Sequence, residues 1–211
     1  MKETTNYYSN TREDVALFVP SNIKSILDIG CGQGAFLKLV KEKTGAETWG
    51  IEMVIEVAKK AKEQADNILA GKVEDMVNLL PNNYFDCITF NDVLEHLLEP
   101  IVVLRNIKPK LTEKGIIIAT IPNVRYIKNL YDLVIKRDWE YKDAGILDRT
   151  HLRFFTKNSM KKMFEKAGYK LNKQEGINKN SSLIFLLFNL FSIGIFNDTK
   201  YLQFVCIAKP I

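Results

Sequence analysis

Residues 25–35 read SILDIGCGQGA, and this stretch decides the fold of the chain. The apolar residues before Gly30 predict a buried β-strand, and the glycines at positions 30, 32 and 34 predict a tight turn. A helical pattern begins directly after Ala35. Glycine suits such a turn because its backbone bends sharply and lets a ligand approach closely, while the following helix presents unpaired N–H groups. The stretch therefore predicts a turn that binds a small molecule.

Two kinds of ligand fit this turn. The spacing of Gly30, Gly32 and Ala35 matches the dinucleotide fingerprint, and Glu52 lies at the distance along the chain expected for an acid that binds a ribose. Asp28, however, places a carboxylate at the end of the strand, where it would repel a pyrophosphate. A carboxylate there favours a ligand with a positive centre and a free amino group. A nicotinamide enzyme remains the alternative, and it predicts NAD binding.

Four stretches together resemble a known family. Residues 27–34, LDIGCGQG, closely resemble the first motif of class I S-adenosylmethionine (SAM) dependent methyltransferases. The resemblance extends to FD at 85–86, NDVLEHL at 91–97 and LDRTHLRFFT at 147–156, and it covers roughly residues 6–175. It points to the O-methyltransferase branch that includes ubiquinone-pathway and polysaccharide-associated enzymes. It implies SAM as the cofactor and S-adenosylhomocysteine as the product.

Strands and helices alternate along the chain at the pace of βαβ units, which predicts a parallel sheet with both faces covered. With the resemblance, we expect one α/β domain over residues 1–211 with a Rossmann-like SAM-methyltransferase fold. Its sheet should have seven strands, mostly parallel, with an antiparallel last strand and helices on both faces. A cofactor binds such a sheet at the carboxyl ends of its strands, where Gly30, Glu52 and Asn91 fall.

The resemblance also implies roles for individual residues in holding SAM. An N-terminal segment folds over the cofactor, so Tyr7, Tyr8 and Arg12 would reach its methionine carboxylate. Glu52 would accept both ribose hydroxyls, since a carboxylate takes two hydrogen bonds at once, and Met53 would pack against the adenine. The predicted cofactor contacts are Tyr8, Arg12, Asp28, Gly30, Gly32, Gly34, Glu52, Met53, Val73, Glu74 and Asn91.

The contact to the adenine amine is left open. Relatives carry an acid directly after the glycine that corresponds to Gly71, whereas this chain has Lys72 there. Either Glu74 or Asp75 substitutes for that acid, or the adenine is read by the backbone alone.

The chain contains two histidines, and both lie in stretches that carry the resemblance. His151 suits a general base because its unperturbed pKa is about 6.5. Alternatively, Asp92, Glu95 and His96 share one face of a helix and, with the distant His151, resemble the metal set of small-RNA terminal 2′-O-methyltransferases. A third reading gives Glu95 and His96 only a supporting role beside the cofactor loop. The predicted catalytic residues are His151, His96 and Glu95.

Two segments are expected to face the acceptor or a partner. The aromatic and charged residues of 122–155 lack a clean period, as in a substrate-binding loop region. Residues 181–196 form an apolar segment shorter than the ~20 residues needed to span a bilayer. A buried or self-associating helix is expected there, and contact with a membrane surface or a lipid-linked substrate is the alternative.

Charge and cysteine usage restrict the partners and the compartment. The net charge of +5 is spread along the chain without a block of like charge, so nucleic acid is an unlikely partner. The three cysteines show no pairing or metal spacing and predict free thiols in a reducing compartment. The polar start of the chain lacks the apolar core of a signal peptide, which predicts a cytoplasmic protein.

The expected function is O-methylation of a hydroxyl on a small-molecule or glycan-type substrate. Two alternatives remain: an RNA 2′-O-methyltransferase with a divalent metal, and a non-catalytic SAM-binding subunit or scaffold.

Overall fold

The computed structural model describes residues 8–180, Phe185, Asn189 and residues 194–211. Its centre is a seven-stranded sheet in the order β3-β2-β1-β4-β5-β7-β6. The strands are β1 (Ser25–Ile29), β2 (Glu47–Glu52), β3 (Asn67–Ala70), β4 (Phe85–Asn91), β5 (Leu111–Pro122), β6 (Tyr169–Lys179) and β7 (Tyr201–Pro210). The helices are α1 (Glu13–Ala16), α2 (Ala35–Thr44), α3 (Ile55–Ala61), α4 (Val73–Met76), α5 (Pro100–Ile107), α6 (Ile127–Val134) and α7 (Lys157–Lys166). Short 3₁₀ turns lie at Val77–Leu79, Lys108–Lys110 and Asn197–Lys200.

The strand directions confirm the expected topology. The pairs β1–β2, β1–β4, β2–β3 and β4–β5 are all parallel. Strand β7 inserts between β5 and β6 and is antiparallel to both of them. The carboxyl ends of β1, β2 and β4 therefore meet at one edge of the sheet, which is where a ligand binds in such folds.

The sheet has a hydrophobic core on each face because its strands alternate their side chains. Leu27 and Phe90 pack on one face with residues of α5 and α7. Ile26 and Cys87, their neighbours along the same two strands, pack on the other face with Phe36 and Leu37 of α2. Successive side chains of a strand point to opposite faces, so each of these apolar strands fills both cores.

The structure departs from the expected elements in two places. Strand β6 continues to Lys179, because its second half pairs with β7 as far as Tyr201. The region 122–155 contains the eight-residue helix α6, none of whose residues is buried. The apolar segment 181–196 lies largely outside the described residues, so its expected helix stays a prediction. No helix among the described residues is long and apolar enough to cross a membrane.

The hydroxyl of Tyr169 ties the start of β6 to α5. Tyr169 is fully buried, and its hydroxyl donates to the carbonyl of Leu104 at 2.8 Å. We expect Tyr169→Phe to lower the free energy of unfolding by about 1–2 kcal/mol, because a buried carbonyl loses its donor. Urea unfolding measures this difference, and Tyr131→Phe, at a half-exposed ring, is the control. Equal stability of the two variants would show that the buried hydrogen bond contributes nothing.

Candidate cofactor and catalytic site

The glycine turn between β1 and α2 is held in a conformation that only glycine adopts easily. Gly30 and Gly32 have φ angles of 71° and 54°. A Cβ on Gly32 would lie 2.7 Å from the carbonyl oxygen of Tyr8. That oxygen accepts the N–H of Gln33 at 2.8 Å. The N-terminal segment therefore lies directly on the turn at Tyr8, while Tyr7 falls outside the described residues.

Asp28 lies near the end of β1 and is buried beside β4. Thr89, its register partner on β4, donates to Asp28 Oδ1 at 2.6 Å, and Asn91 Nδ2 donates to the same oxygen at 3.1 Å. Burial raises the pKa of Asp28 to about 7, although these two hydrogen bonds act in the opposite direction. The carboxyl group thus takes up or releases a proton near neutral pH.

Glu52, at the end of β2, stabilises the glycine turn through backbone hydrogen bonds. Its Oε2 accepts the N–H of Gly32 at 3.0 Å, and its Oε1 accepts the N–H of Val54 at 2.8 Å. Each carboxylate oxygen has a second acceptor site, so the two ribose hydroxyls expected here remain compatible with both backbone contacts. Met53 follows as an exposed side chain.

Most of the residues expected near the adenine are exposed. In the first turn of α4, Val73 is buried and Glu74 is exposed. Asp75 and Lys72 are exposed as well. The open choice between Glu74, Asp75 and the backbone for the adenine amine therefore stays a prediction.

Arg12 is buried between the N-terminal segment and the end of β4. Its guanidinium forms ion pairs with Asp92 and, at 3.2 Å, with Asp14. Asp92 has a left-handed backbone, with φ at 55°, and also accepts from Gln203 at 2.7 Å. The sequence analysis missed this anchoring of Arg12, because it joins three segments that are far apart in the chain.

The residues present fit SAM, as two buried polar atoms show. Among the described residues, Arg12 Nη2 and Asn91 Oδ1 have no hydrogen-bond partner. The first is a donor suited to a carboxylate, and the second is an acceptor suited to an ammonium group beside Asp28. Buried polar atoms are normally paired, so these two atoms are complementary to the amino acid end of SAM.

A second cluster lies where the loop after β4 meets the connection between β5 and α7. Ligand atoms of Glu95, His96 and His151 all lie within 4.8 Å of one another. The two imidazole rings are 4.6 Å apart between centroids and nearly perpendicular. The structure thus brings together the three predicted catalytic residues, which we call the catalytic cluster.

Backbone contacts fix the orientation of the cluster. His151 Nδ1 lies 2.9 Å from the carbonyl of Ile146, and His96 Nδ1 lies 3.2 Å from the carbonyl of Thr150. A carbonyl accepts but does not donate, so His151 Nδ1 carries the hydrogen and its Nε2 keeps its lone pair. At His96 the Thr150 hydroxyl also lies 3.2 Å from Nδ1; because this hydroxyl donates to Asp148, it accepts from Nδ1 as the carbonyl does. The carbonyl of Glu95 accepts from the N–H groups of Leu152 and Arg153 at 2.9 and 3.0 Å, which ties the two loops together.

Glu95 is the most unusual member of the cluster. It is only 1% exposed, and both of its carboxylate oxygens lack a hydrogen-bond partner among the described residues. Burial raises its pKa well above the usual range, and the charge of Asp92 adds to this. Burial lowers the pKa of His96, and the charge of the neighbouring His151 acts in the same direction.

The expected convergence of Asp92 with Glu95 and His96 on one helical face is wrong. Residues 94–96 form a turn rather than a helix. The left-handed backbone of Asp92 directs its carboxylate to Arg12, Thr120 and Gln203. Asp92 is therefore not part of the catalytic cluster.

A seven-stranded sheet of this order, with a glycine turn after β1 and a buried acid at the end of β2, defines a Rossmann-like nucleoside-binding domain. Residues 5–174 match the family model described as a methyltransferase domain. The chain belongs to this family and is a SAM-dependent methyltransferase by family.

Similarity to individual proteins agrees with this class. The chain is 31% identical to the ubiquinone biosynthesis O-methyltransferase of Actinobacillus pleuropneumoniae over 121 residues, which are 53% of this chain and 50% of that relative. It is 29% identical over 185 residues to the protein of the same name from Aeromonas salmonicida, covering 85% of this chain and 74% of that one. The matched region thus spans about half the length of the first of these relatives.

Solved structures show the same fold. A SAM-dependent methyltransferase from Archaeoglobus fulgidus superposes with a TM-score of 0.70 at 22% identity, over 99% of this chain and 98% of that chain. A chain from the complex between the Haloferax volcanii Trm112 methyltransferase activator and the putative methyltransferase has a TM-score of 0.69 at 12% identity, over 99% and 92%.

The raised pKa of Asp28 predicts how stability depends on pH. Its folded pKa of about 7 exceeds the unfolded value of about 3.9, so the folded state is favoured by protonated Asp28. Stability should fall as pH rises from about 4 through 7, by roughly 4 kcal/mol. We expect Asp28→Asn to be more stable than the wild type at pH 8 and nearly equal at pH 4, by urea unfolding, while it binds SAM more weakly.

The control for this experiment is Glu56→Gln, which removes an exposed carboxylate from α3. It should leave the pH dependence unchanged. A constant stability difference between Asp28→Asn and the wild type from pH 4 to 8 would contradict the raised pKa.

Proposed function

We propose that this chain is an O-methyltransferase that transfers the methyl group of SAM to a hydroxyl of a small-molecule or glycan-type acceptor. The catalytic cluster of Glu95, His96 and His151 carries this proposal, because it offers a proton acceptor, His151, next to Glu95, which lies four residues beyond Asn91. The curated relatives named as ubiquinone biosynthesis O-methyltransferases support oxygen as the methylated atom.

Holding the donor is one task of the chain. When bound, SAM supplies an electrophilic methyl group on a sulfonium whose positive charge disappears during transfer. The proposal assigns Arg12 to the carboxylate, Asp28 and Asn91 to the ammonium group, and Glu52 to the ribose. Positioning of reactants contributes up to ~7–11 kcal/mol to catalysis, so these contacts are a large part of what the chain provides.

Removing the proton of the acceptor hydroxyl is the other task. His151 Nδ1 is engaged with the carbonyl of Ile146, so its Nε2 is the atom that takes the proton in this proposal. The imidazolium formed lies in the same cluster as Glu95, and its positive charge favours the ionised form of that carboxyl group, against the effect of burial on its pKa. His96 has a lowered pKa, so it is neutral at pH 7 and does not repel that charge.

An aromatic wall next to the cluster supports an acceptor with a ring. Phe154 lies 6.4 Å from the His151 ring, 5.5 Å from Trp139 and 6.3 Å from Tyr141, measured between centroids. Aromatic faces stack against flat rings and against the apolar faces of sugars. The wall and the cluster together suit a hydroxyl carried on such a ring.

The catalytic cluster also suits a divalent cation. One carboxylate and two imidazoles are ligands that suit Zn²⁺ or Mn²⁺. Imidazoles that bind metals usually donate their other N–H to a backbone carbonyl or carboxylate, as His96 and His151 do here. Such an ion would supply a partner for Glu95 and lower the pKa of an acceptor hydroxyl.

The acceptor is identified by a screen of methyl transfer against pooled sugars, nucleotide sugars, catechols and short RNAs, each with and without a chelator. RNA as the only acceptor would replace the proposal by an RNA 2′-O-methyltransferase. SAM binding without any turnover would favour the non-catalytic subunit.

A cytoplasmic location also belongs to the proposal, and the three buried free cysteines support a reducing compartment.

The role of His151 leads to a prediction about turnover. We expect His151→Gln to lower formation of S-adenosylhomocysteine about 10²–10⁴-fold, because the proton acceptor is lost. Calorimetry should find SAM binding unchanged. The control is Lys142→Gln, at an exposed position of the same connection, which should keep full turnover. Undiminished turnover by His151→Gln would exclude His151 as the base.

The cation leads to a prediction that does not depend on turnover. We expect Mn²⁺ titrated into the wild type to bind at one site, with loss of its free electron paramagnetic resonance signal. Glu95→Gln should abolish this binding, because the amide has no charge and binds cations poorly. Asp132→Asn, at an acid of α6, is the control and should bind Mn²⁺ as the wild type does. Full turnover in chelator, with no Mn²⁺ binding, would exclude the cation and leave the His151 base.

A further inference from the structure

Helix α6 carries large apolar side chains that face outward. Val134 and Ile135 are 66% and 64% exposed, Tyr131 is 52% exposed, and Leu133 is exposed as well. Isolated exposed apolar residues are normal, but a cluster of this kind marks an interaction surface. We call Tyr131, Leu133, Val134 and Ile135 the α6 patch.

Three cations lie on α6 or directly after it. Lys128 and Lys136 both pair with Asp132, at 3.3 and 2.8 Å, along one side of the helix. Arg137 follows directly, so residues 127–137 contain three cations and one acid. Large apolar residues beside lysine and arginine are typical of helices that lie in the interface of an anionic membrane.

The described residues on either side of a second apolar stretch contact residues just before α6. Asn180 Nδ2 donates to the hydroxyl of Tyr126, the residue before α6. Arg125 binds Asp198 at 2.8 Å and lies over the ring of Phe196 at 5.6 Å. Between these anchors, residues 183–196 read LIFLLFNLFSIGIF, in which only Asn189 and Ser192 have polar side chains. The described residues that flank this stretch therefore lie near the start of α6.

We propose that the α6 patch docks this protein onto the surface of an anionic phospholipid membrane. A second copy of the chain fits less well, because an eight-residue helix covers only roughly 120 Å² and a stable dimer needs about 800 Å² per partner. The net charge of +5 attracts the whole chain to anionic lipid.

The test is co-sedimentation of the full chain with vesicles of phosphatidylglycerol and phosphatidylcholine. We expect the wild type to bind vesicles rich in phosphatidylglycerol, more weakly at high salt, and to bind pure phosphatidylcholine poorly. The double variant Val134→Glu, Ile135→Glu should lose about tenfold or more in partitioning, because two apolar side chains no longer enter the lipid. Lys136→Glu, Arg137→Glu should lose binding mainly at low salt.

The control is Leu79→Glu, which introduces the same residue once rather than twice, at a position that is 65% exposed and lies before the amino end of β4, away from α6. It should bind vesicles as the wild type does, and calorimetry with SAM should show that every variant is folded. Absence of vesicle binding by the wild type, or equal loss in Leu79→Glu, would overturn the proposal. A dimer in sedimentation velocity that Val134→Glu dissociates, without vesicle binding, would assign the patch to a second copy instead.

Discussion

Folding of this chain buries three carboxyl groups at one edge of the sheet, and the site depends on how each of them is accommodated. Asp28, Glu52 and Glu95 are 2%, 5% and 1% exposed. Burying a carboxylate without a partner costs several kcal/mol or raises its pKa until it is neutral. Glu52 is satisfied by two backbone N–H groups, and Asp28 by a hydroxyl and an amide. Glu95 has no such partner among the described residues. Glu52 thus stabilises the backbone of the glycine turn, whereas Glu95 needs a proton, a substrate or an ion as its partner.

The glycine turn and the alternation of strands with helices could be predicted from the sequence because they rest on local patterns. An apolar run, the glycines of 30–34 and a helical pattern are read within about a dozen residues. Glu52 could be placed for the same reason, since an acid at the end of the next strand lies at the same sheet edge. Val73 and Glu74 were harder to place, because α4 is short and Lys72 replaces the expected acid.

The remainder of the site depends on contacts across long stretches of chain. The partner of Arg12 is Asp92, eighty residues away, and Gln203 of β7 binds that same carboxylate. No periodicity in either segment indicates this network. The left-handed backbone of Asp92 replaced the expected helix by a turn, and this change removed Asp92 from the catalytic cluster while it left Glu95 and His96 together. The meeting of His96 with His151 follows from the resemblance to a family, not from spacing.

The connection between β5 and α7 contains both α6 and His151. One segment of the chain therefore carries the proposed membrane contact and the proposed general base. That segment is anchored at its two ends: Arg125 is held by Asp198, and Leu152 and Arg153 donate to the carbonyl of Glu95. His151 is held locally as well, since its N–H donates to Asp148 at 3.0 Å. A contact at α6, as proposed, would therefore act on a segment whose end at His151 is already fixed by these hydrogen bonds. Such a contact would orient the molecule, and with it the proposed acceptor side of the site, without rearranging Glu95, His96 and His151.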